Sequence, residues 1–167
     1  MIQVYTGDGK GKSTAAFGLA LRASGAGLKV YIGQFVKGRC YNEIKALKLI
    51  KNIKIEQFGR RCFIKKSPEK IDIQMALMGL KRVNEIIASK KYRMVILDEI
   101  NIAVKLKLIP LWDLLELIKS TPKSIELILT GRDAHHKIIK LANLVSQIKE
   151  VKHYYTQGLR ARRGIEF

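Results

Sequence analysis

The segment best suited to chemistry is a glycine-rich loop near the N-terminus. Three glycines alternate with charged residues, and a lysine and a hydroxyl residue close the run Gly7-Asp8-Gly9-Lys10-Gly11-Lys12-Ser13. The glycines let the backbone curl so that successive N–H groups form an anion-binding nest at the positive end of the following helix. Lys12 adds a mobile positive charge, and the Ser13 hydroxyl is placed to ligate the Mg²⁺ that accompanies a nucleotide. The pattern therefore predicts a binding loop for a triphosphate such as that of ATP.

The context of this loop makes the match specific. Residues 2–24 read as a strand, a glycine-rich turn and a helix, the order in which phosphate-binding loops occur. A tight glycine turn with surface lysines is the alternative, but nearly the whole motif is present. Thr6 departs from the general pattern, which has its first glycine five residues before Gly11. Because a side chain there reshapes the nest, the triphosphate need not lie as it does in ordinary hydrolases.

Two further strand-like runs end in residues that suit a nucleotide site. Residues 95–99 are an apolar run that ends in Asp98 and Glu99, and residues 127–132 end in Arg132. Because ligands gather at the carboxyl ends of parallel strands, these groups are expected at one edge of a sheet. Either carboxylate could bind Mg²⁺ directly or through water, and an arginine can pair with phosphate through two hydrogen bonds. A strand followed by a solvated acidic turn is the alternative for the two acids.

The elements that must position these groups alternate between short strand-like runs and helix-like stretches. This order predicts an α/β fold, a mainly parallel twisted sheet of about six strands with helices on both faces. The strand candidates are residues 2–5, 29–36, 53–58, 94–98, 125–130 and 144–148. With 167 residues, 47% of them hydrophobic, the chain can bury a sizeable core. We therefore expect residues 1–167 to form a single nucleotide-binding domain.

Three helices are predicted from capping signals and apolar spacing. Residues 13–24 are almost wholly apolar apart from Arg22, as expected for a helix packed between the sheet and neighbouring elements. The longest helix is expected to open at residues 67–69, with Ser67 as its cap and a proline in its first turn. Its predicted apolar face consists of Ile73, Leu77, Leu80, Val83 and Ile87. Pro110 is expected in the first turn of a further helix.

The charge of the chain is its least ordinary bulk property. There are 32 Lys and Arg residues against 14 Asp and Glu, a formal net charge of +18. Such a field attracts polyanions and acidic partners. However, the lysines are scattered, and no interleaving of basic and aromatic residues typical of single-strand binding stands out. We therefore do not expect nucleic acid as a partner, and many lysines are interpreted as a solvated surface.

The remaining composition disfavours several functional classes. No apolar run approaches the roughly 20 residues that cross a bilayer, and the N-terminus lacks the features of a secretory signal. We expect a cytoplasmic protein without a membrane span. Cys40 and Cys62 have no second pair that would make a metal cluster and are expected to be buried or idle reduced thiols. His135, His136 and His153 lack metal-ligand spacing, and a helix-surface or loop position explains them at least as well as catalysis.

Five short patterns spread along the chain resemble the P-loop type of ATP:corrinoid adenosyltransferases. The loop of that family, TGxGKGKT-T-AAFG, is matched by residues 6–18 with Ser13 in place of threonine. Its other patterns are QFxKG, LDE, TGR, and KH followed by G-x-x-A-x-x-GIEF. They are matched by residues 34–38, 97–99, 130–132 and 152–167. Thr6, which departs from the general phosphate loop, is the residue that this family has there.

The resemblance implies a RecA-like P-loop fold that holds the triphosphate in the direction opposite to that in hydrolases. In this family, the Co(I) of a reduced corrinoid attacks the 5′ carbon of ATP and expels inorganic triphosphate, in adenosylcobalamin synthesis or salvage. Such a nucleophile needs no general base, so the enzyme positions the substrates and stabilises the leaving charge. The expected substrates are ATP and a reduced corrinoid, and the expected cofactor is Mg²⁺ or Mn²⁺.

The resemblance also implies roles for individual residues. Catalysis is assigned to Lys12, Glu99 and Arg132, and metal binding to Ser13, Glu99 and Asp98. Substrate contacts are assigned to Gly7, Asp8, Gly9, Lys10, Gly11, Lys12, Ser13, Thr14, Arg22, Arg132 and Phe63. Phe63 enters because many members carry a GFTW-like segment whose aromatic rings press on the lower face of the corrinoid. Here the comparable residues 59–64 contain no tryptophan.

Partners are expected from the same chemistry. Since Co(I) is hard to make, its reduction is expected at the bound corrinoid, by an acidic electron-transfer protein such as a flavodoxin or ferredoxin. The residues expected nearest to that partner are Arg60, Arg61, Lys65 and Lys66. A homodimer is also expected.

Two other functions stay open from the sequence alone. The net charge, and the Asp98–Glu99 pair that could place a hydrolytic water, would also suit a nucleic-acid-dependent P-loop ATPase. A non-catalytic ATP-binding regulator would share the same loop. The three functions differ in their products, because the corrinoid reaction alone releases triphosphate.

Overall fold

The computed structural model describes residues 1–61, 64 and 67–166. Within these residues, six parallel strands form one sheet, in the order β3-β2-β4-β5-β1-β6. The strands are β1 (Ile2–Thr6), β2 (Val30–Phe35), β3 (Ile53–Phe58), β4 (Met94–Asp98), β5 (Glu126–Thr130) and β6 (Leu144–Gln147). The helices are α1 (Lys12–Gly25), α2 (Asn42–Lys48), α3 (Lys70–Ala88), α4 (Ile100–Lys105), α5 (Leu111–Ser120), α6 (His136–Leu141) and a 3₁₀ helix at Tyr154–Gln157. The predicted parallel sheet of about six strands is confirmed.

Helices cover both faces because the central strands bury side chains on both sides. Successive residues of a strand point to opposite faces, and β2 and β4 are buried along their whole length. On one face, strand residues pack with α3, α4, α5 and α6: Tyr31, Phe35, Val95, Leu97, Leu127 and Leu129. On the other face, strand residues pack with α1 and α2: Val30, Ile32, Met94, Ile96 and Ile128. The prediction of helices on both faces is therefore confirmed.

Helix α1 packs along one face rather than all round. Its buried residues recur at three- and four-residue spacing on the side toward the sheet: Ala16, Phe17, Ala20 and Ala23. Gly18 is exposed, and Leu21 is 49% exposed. The expectation that neighbouring elements enclose this helix is therefore wrong, because its other face borders a cavity.

The starts of α3 and α5 differ from their predicted positions. Helix α3 begins at Lys70, and Glu69 and Asp72 form a capping box in which the Asp72 carboxylate accepts the Glu69 N–H at 2.9 Å. The predicted Ser67 cap is wrong because these acids satisfy the free N–H groups two residues later. Pro110 has an extended conformation and immediately precedes α5, so it lies just outside the first turn.

The buried face of α3 is also rotated from the predicted one. Leu80, Val83 and Ile87 are buried as predicted, but Ile73 and Leu77 are 37% and 39% exposed. The reason lies in small residues that let the helix approach the sheet. A Cβ on Gly79 would lie 2.5 Å from Cγ of Phe58 on β3, so the helix turns Gly79 toward the strand. Apolar spacing alone does not reveal such a close approach.

No helix in the described ranges has the length and apolar character to cross a bilayer.

Candidate functional site

Four neighbouring strands of the sheet end in the same unusual backbone geometry. Directly after β2, β4, β5 and β1 stand Val36, Glu99, Gly131 and Gly7, with φ of 66°, 60°, 128° and 96°. A left-handed residue reverses the chain sharply, so the residues near each turn are brought to the carboxyl edge of the sheet. For Val36 and Glu99 this geometry costs on the order of 1–3 kcal/mol each, and such strain is concentrated at functional sites. The edge is therefore the candidate site.

A cavity of about 1000 Å³ lies at this edge. Its polar part is formed by the glycine-rich loop and the strand ends: Gly9, Lys10, Gly11, Lys12, Ser13, Thr14, Lys37, Glu99 and Arg132. Its apolar part is formed largely by residues of α1 and by α2 with its flanks: Phe17, Leu21, Tyr41, Ala46, Leu47 and Ile50. The cavity thus joins a phosphate-type surface to an apolar one.

The glycine-rich loop is held in its curled form by the segment after β6. The Gly9 N–H donates to the Ile148 carbonyl at 2.8 Å, and the Ile148 N–H donates to the Thr6 carbonyl at 2.8 Å. A Cβ on Gly7 would lie 2.4 Å from the Ile148 oxygen, and the φ of 96° also disfavours any other residue there. The close approach of two backbones, as well as the turn, therefore requires glycine at this position.

Lys12 is buried at the N-terminus of α1, and its side chain extends back over the glycine-rich loop. Its Nζ donates to the Gly9 carbonyl at 2.7 Å, so it contacts a neutral oxygen rather than a carboxylate. Burial lowers the pKa of this ammonium, the charge of Arg132 lowers it further, and Glu99 and Asp8 oppose the shift. Two cations, Lys12 and Arg132, are thus close enough to repel each other. An anion bound between them would relieve that repulsion.

The two carboxylates at the carboxyl end of β4, Asp98 and Glu99, have different surroundings. Asp98 is fully buried and lies behind the cavity wall, where its carboxylate accepts hydrogen bonds from Gln34 Nε2 at 2.9 Å and the Thr130 hydroxyl at 2.7 Å. The Thr130 hydroxyl oxygen in turn accepts the Glu99 backbone N–H at 3.0 Å. Glu99 lies on the wall with its side chain 19% exposed. Asp98 therefore anchors the turn, and Glu99 presents its carboxylate to the cavity.

Lys37 is a functional candidate that sequence reasoning missed. It follows β2, and its Nζ lies 2.9 Å from Glu99 Oε1 and 3.9 Å from Asp98 Oδ2. Burial lowers the pKa of Lys37, but the charges of both carboxylates outweigh burial and raise that pKa above its ordinary value. The available signal was a lysine two residues after a strand, in the run that matches the QFxKG pattern.

Two side chains on the wall carry oxygen atoms of the kind that a divalent cation binds. Glu99 offers a carboxylate and Ser13 a hydroxyl, which are the hard oxygen ligands that Mg²⁺ and Mn²⁺ prefer. Glu99 already contacts a cation, the Lys37 ammonium, which shows that its carboxylate accepts positive charge at the wall. No group of three or more His, Cys, Asp or Glu residues that could hold a metal occurs within the described part of the chain.

Several predicted site residues lie outside the cavity wall or outside the described residues. Arg22 is exposed in the last turn of α1, outside the cavity wall, where its charge lowers the pKa of Tyr5 against the larger raising effects of burial and Glu126. Gly7 and Asp8 likewise lie outside the wall, whereas Gly9 to Thr14 form part of it. Phe63 lies outside the described residues. Its predicted contact with the corrinoid stays a prediction.

The cysteines and histidines stand largely as expected. Cys40 is a free, exposed cysteine, and Cys62 lies outside the described residues. His135 Nδ1 accepts the Lys137 N–H at 3.2 Å, and His153 Nδ1 accepts the Tyr155 N–H at 3.1 Å. Both rings thus cap helix starts, although His153 also borders the cavity.

The C-terminal segment closes one side of the loop, which the residue patterns did not predict. Lys10 Nζ contacts Glu166 Oε1 at 3.0 Å and donates to the Ile165 carbonyl at 3.1 Å. Hydrogen bonds from Arg162, with help from Lys10, lower the pKa of Glu166 to about 2. Residues 164–166 consequently form part of the cavity wall.

The basic residues after β3 differ in how far their charge is available. Arg60 donates to both oxygens of Asp72 at 2.7 and 2.8 Å and to Glu69 at 2.9 Å, so its charge is engaged at the start of α3. Arg61 is exposed and borders the cavity. Lys65 and Lys66 lie outside the described residues. The two that the structure describes, Arg60 and Arg61, both border the cavity, and Arg61 is the more exposed of them.

The sequence is similar along its whole length to one enzyme family. A model of the family described as ATP:corrinoid adenosyltransferase BtuR/CobO/CobP matches residues 1–167. The chain is 32% identical over 167 residues to a corrinoid adenosyltransferase of Escherichia coli (strain K12), covering 100% of this chain and 85% of that one. It is also 32% identical over 169 residues to a corrinoid adenosyltransferase of Pseudomonas aeruginosa, covering 100% and 83%.

The fold is similar to that of a solved archaeal protein. A KaiC-like protein from Pyrococcus horikoshii superposes with a TM-score of 0.51 at 18% sequence identity, covering 91% of this chain and 74% of that one. The chain therefore has a RecA-like P-loop fold, as predicted.

Proposed function

The chain belongs to the ATP:corrinoid adenosyltransferases, and from this premise we propose how its cavity carries out the transfer of the adenosyl group of ATP to a corrinoid. The observation that carries the proposal is the placement of Lys12. This lysine lies in a curled glycine-rich loop, bonds a neutral carbonyl, and faces a cavity that also presents Glu99 and Arg132. Such a site binds a charged phosphate chain and leaves an apolar surface beside it.

The loop and its cations bind the triphosphate. On binding, Lys12 exchanges the Gly9 carbonyl for a phosphate oxygen, and Arg132 pairs with the same chain of phosphates. During the reaction the cobalt of the reduced corrinoid substrate forms a bond to the 5′ carbon with its own electron pair. The bond between the 5′ carbon and its phosphate oxygen breaks, and the electron pair of that bond leaves with the oxygen. Lys12 and Arg132 stabilise this charge where it develops, which is the main contribution the protein makes. No proton moves, so no residue is needed as a general base.

Glu99 and Ser13 hold the divalent cation in this proposal, and Asp98 keeps Glu99 in place through Thr130. Bound Mg²⁺ or Mn²⁺ would add positive charge at the leaving triphosphate. This division of work explains why two adjacent carboxylates have such different burial. Buried Asp98 stabilises the backbone of the turn, and the partly exposed Glu99 is left to bind the ligand.

The apolar part of the cavity suits the uncharged parts of the two substrates. A triphosphate does not fill about 1000 Å³, and Phe17, Leu21 and Ile50 offer an apolar surface beside the loop. We assign this surface to the adenosine or to the edge of the corrinoid. Arg22 lies outside it, and its contact with the nucleotide stays a prediction.

One assay tests the function. The protein is mixed with ATP, divalent cation and a chemically reduced corrinoid, and the light-sensitive adenosyl product and the phosphate species are measured. The proposal predicts adenosylated corrinoid and inorganic triphosphate in equal amounts. Release of orthophosphate that depends on DNA or RNA would instead identify a nucleic-acid-dependent ATPase. ATP binding without any product would identify a non-catalytic regulator.

A protein reductant is a further part of the proposal. With a net charge of +18 and an exposed Arg61 beside the cavity, the chain suits an acidic flavodoxin or ferredoxin that reduces the bound corrinoid. Exposed charges are screened beyond about 8 Å at physiological ionic strength. Turnover driven by such a protein should therefore fall steeply with added salt, while turnover driven by a small chemical reductant falls little. Equal salt sensitivity of the two assays would contradict docking.

We also propose a homodimer. The chain has a mass of 19.0 kDa, so light scattering should report twice that mass at micromolar concentration. A mass of one chain over the whole range would contradict this part of the proposal.

A further inference from the structure

Lys37 has no part in the chemistry proposed above, although it borders the cavity. Its backbone N–H donates to the Phe35 carbonyl at 2.6 Å, across a tight turn whose middle residue, Val36, has a φ of 66°. This turn brings the lysine to the carboxylates of Asp98 and Glu99 at the end of β4. Its Nζ lies 2.9 Å from Glu99 Oε1 and 3.9 Å from Asp98 Oδ2.

The contact between Lys37 and Glu99 is exchangeable. Asp98 also receives hydrogen bonds from Gln34 and Thr130, so it stays satisfied when the ammonium moves. The side chains of Lys37 and Glu99 are 27% and 19% exposed, and both border the cavity. A lysine carries its charge on a flexible four-carbon stem. The ammonium can therefore turn from the carboxylate to a bound anion without any change in the fold.

We propose that Lys37 is a mobile counter-cation of the site, which neutralises Glu99 in the absence of nucleotide and moves to the triphosphate once Glu99 takes up the divalent cation. The inference rests on the proposed function, because it assumes the same two ligands. It gives Lys37 two opposite effects on binding. The ammonium competes with the cation for Glu99, and it attracts the triphosphate. A lysine that merely supports the fold would have neither effect.

The test separates these two effects by using each ligand alone. Lys37→Met keeps the apolar stem and removes the charge. Binding of Mn²⁺ without nucleotide is followed by electron paramagnetic resonance, and binding of inorganic triphosphate in excess EDTA is followed by calorimetry. We expect Mn²⁺ to bind about tenfold more tightly and triphosphate about tenfold more weakly in the variant. Lys37→Arg should restore most of the triphosphate affinity because it keeps the charge.

A second lysine provides the matched control. Lys105 pairs with Asp133 at 2.6 Å and lies outside the cavity wall. Lys105→Met removes a charge from an ion pair as well, and both affinities should stay at the wild-type value. If Lys37→Met lowers the melting temperature, the test is repeated with Lys37→Gln, whose side chain is uncharged but ends in a polar amide.

Opposite shifts for the two ligands support the inference. Unchanged affinities, or shifts of both in the same direction, overturn it. If the wild-type protein makes the adenosyl product and the Lys37 variants bind both ligands with wild-type affinity, this inference alone is contradicted. If the wild-type protein binds no triphosphate and makes no product, the proposed function is contradicted as well.

Discussion

The glycine-rich loop and the turns after β2 and β4 reach the same backbone geometry with different residues. The left-handed positions of the loop are glycines, Gly7 and Gly11, with φ of 96° and 121°. The corresponding positions after β2 and β4 are Val36 and Glu99, with φ of 66° and 60°. Glycine adopts such angles without steric cost, whereas other residues do so only where the surrounding structure holds them. The loop is thus encoded locally, and the other two turns depend on their packing.

This difference explains which site residues could be found in the sequence. The spacing of its glycines identifies the loop in the sequence, and the lysine and serine of the motif follow at known positions. Nothing local marks Val36 as the centre of a reversed turn, since β-branched residues disfavour positive φ. Lys37 was therefore missed as a site residue, although it contacts Glu99 directly.

The largest effect is expected from removing the charge of the loop. Lys12→Ala should lower turnover by at least about 10³-fold, because it removes a cation aimed at the leaving triphosphate. The melting temperature should change little, since Nζ contributes one hydrogen bond to the Gly9 carbonyl. Lys10→Ala serves as the comparison and should cost about tenfold at most, because Lys10 contacts Glu166. Near wild-type turnover of Lys12→Ala would contradict the loop assignment.

On the strand side, the neutral variant Glu99→Gln tests the cation site while keeping the size of the side chain. Turnover should fall about 10²-fold, and the concentration of Mg²⁺ needed for half-maximal turnover should rise. Glu43→Gln is the control, because Glu43 also borders the cavity but has no assigned role. If Glu99→Gln keeps the wild-type requirement for Mg²⁺, the cation is held by other residues.

Two glycine variants separate backbone strain from steric contact. Gly7→Ala introduces both, because its Cβ would meet the Ile148 oxygen, while Gly27→Ala introduces strain alone, with φ of 79° and open space around it. The first should lose about 2 kcal/mol more unfolding free energy than the second, measured by urea denaturation. Equal losses would show that the loop does not depend on its contact with the segment after β6.

The smallest effect is expected at Val36. Val36→Gly relieves the strain of the left-handed turn and loses a partly buried side chain, so the net change in unfolding free energy should be within about 1 kcal/mol. Val83→Gly, in the buried face of α3, should lose about 3 kcal/mol or more. A loss as large at Val36 would mean that its packing outweighs its strain.

Most of the fold could be predicted because its signals are local. The bounds of β3 and β4, Ile53–Phe58 and Met94–Asp98, agree with the predicted strands residue for residue. The buried face of α3 could not be predicted in full, because the approach of Gly79 to Phe58 joins residues that are distant in the chain. The predicted cap of α3 was wrong because several side chains near a helix start can accept its free N–H groups. The local sequence does not tell which of them does, and here Glu69 and Asp72 form the capping box.

The sequence by itself determined the alternation of strands and helices, the phosphate loop, and the presence of acids and an arginine at strand ends. These depend on periodicity, on glycine and on the rule that parallel strands end at one edge. Only the tertiary structure decided that Asp98 lies behind the wall while Glu99 faces the cavity, that Lys37 meets Glu99, and that Arg22 lies outside. The physical reason is that neighbouring side chains at a strand end have the same local signals. Their burial depends on strands and turns far away in the chain.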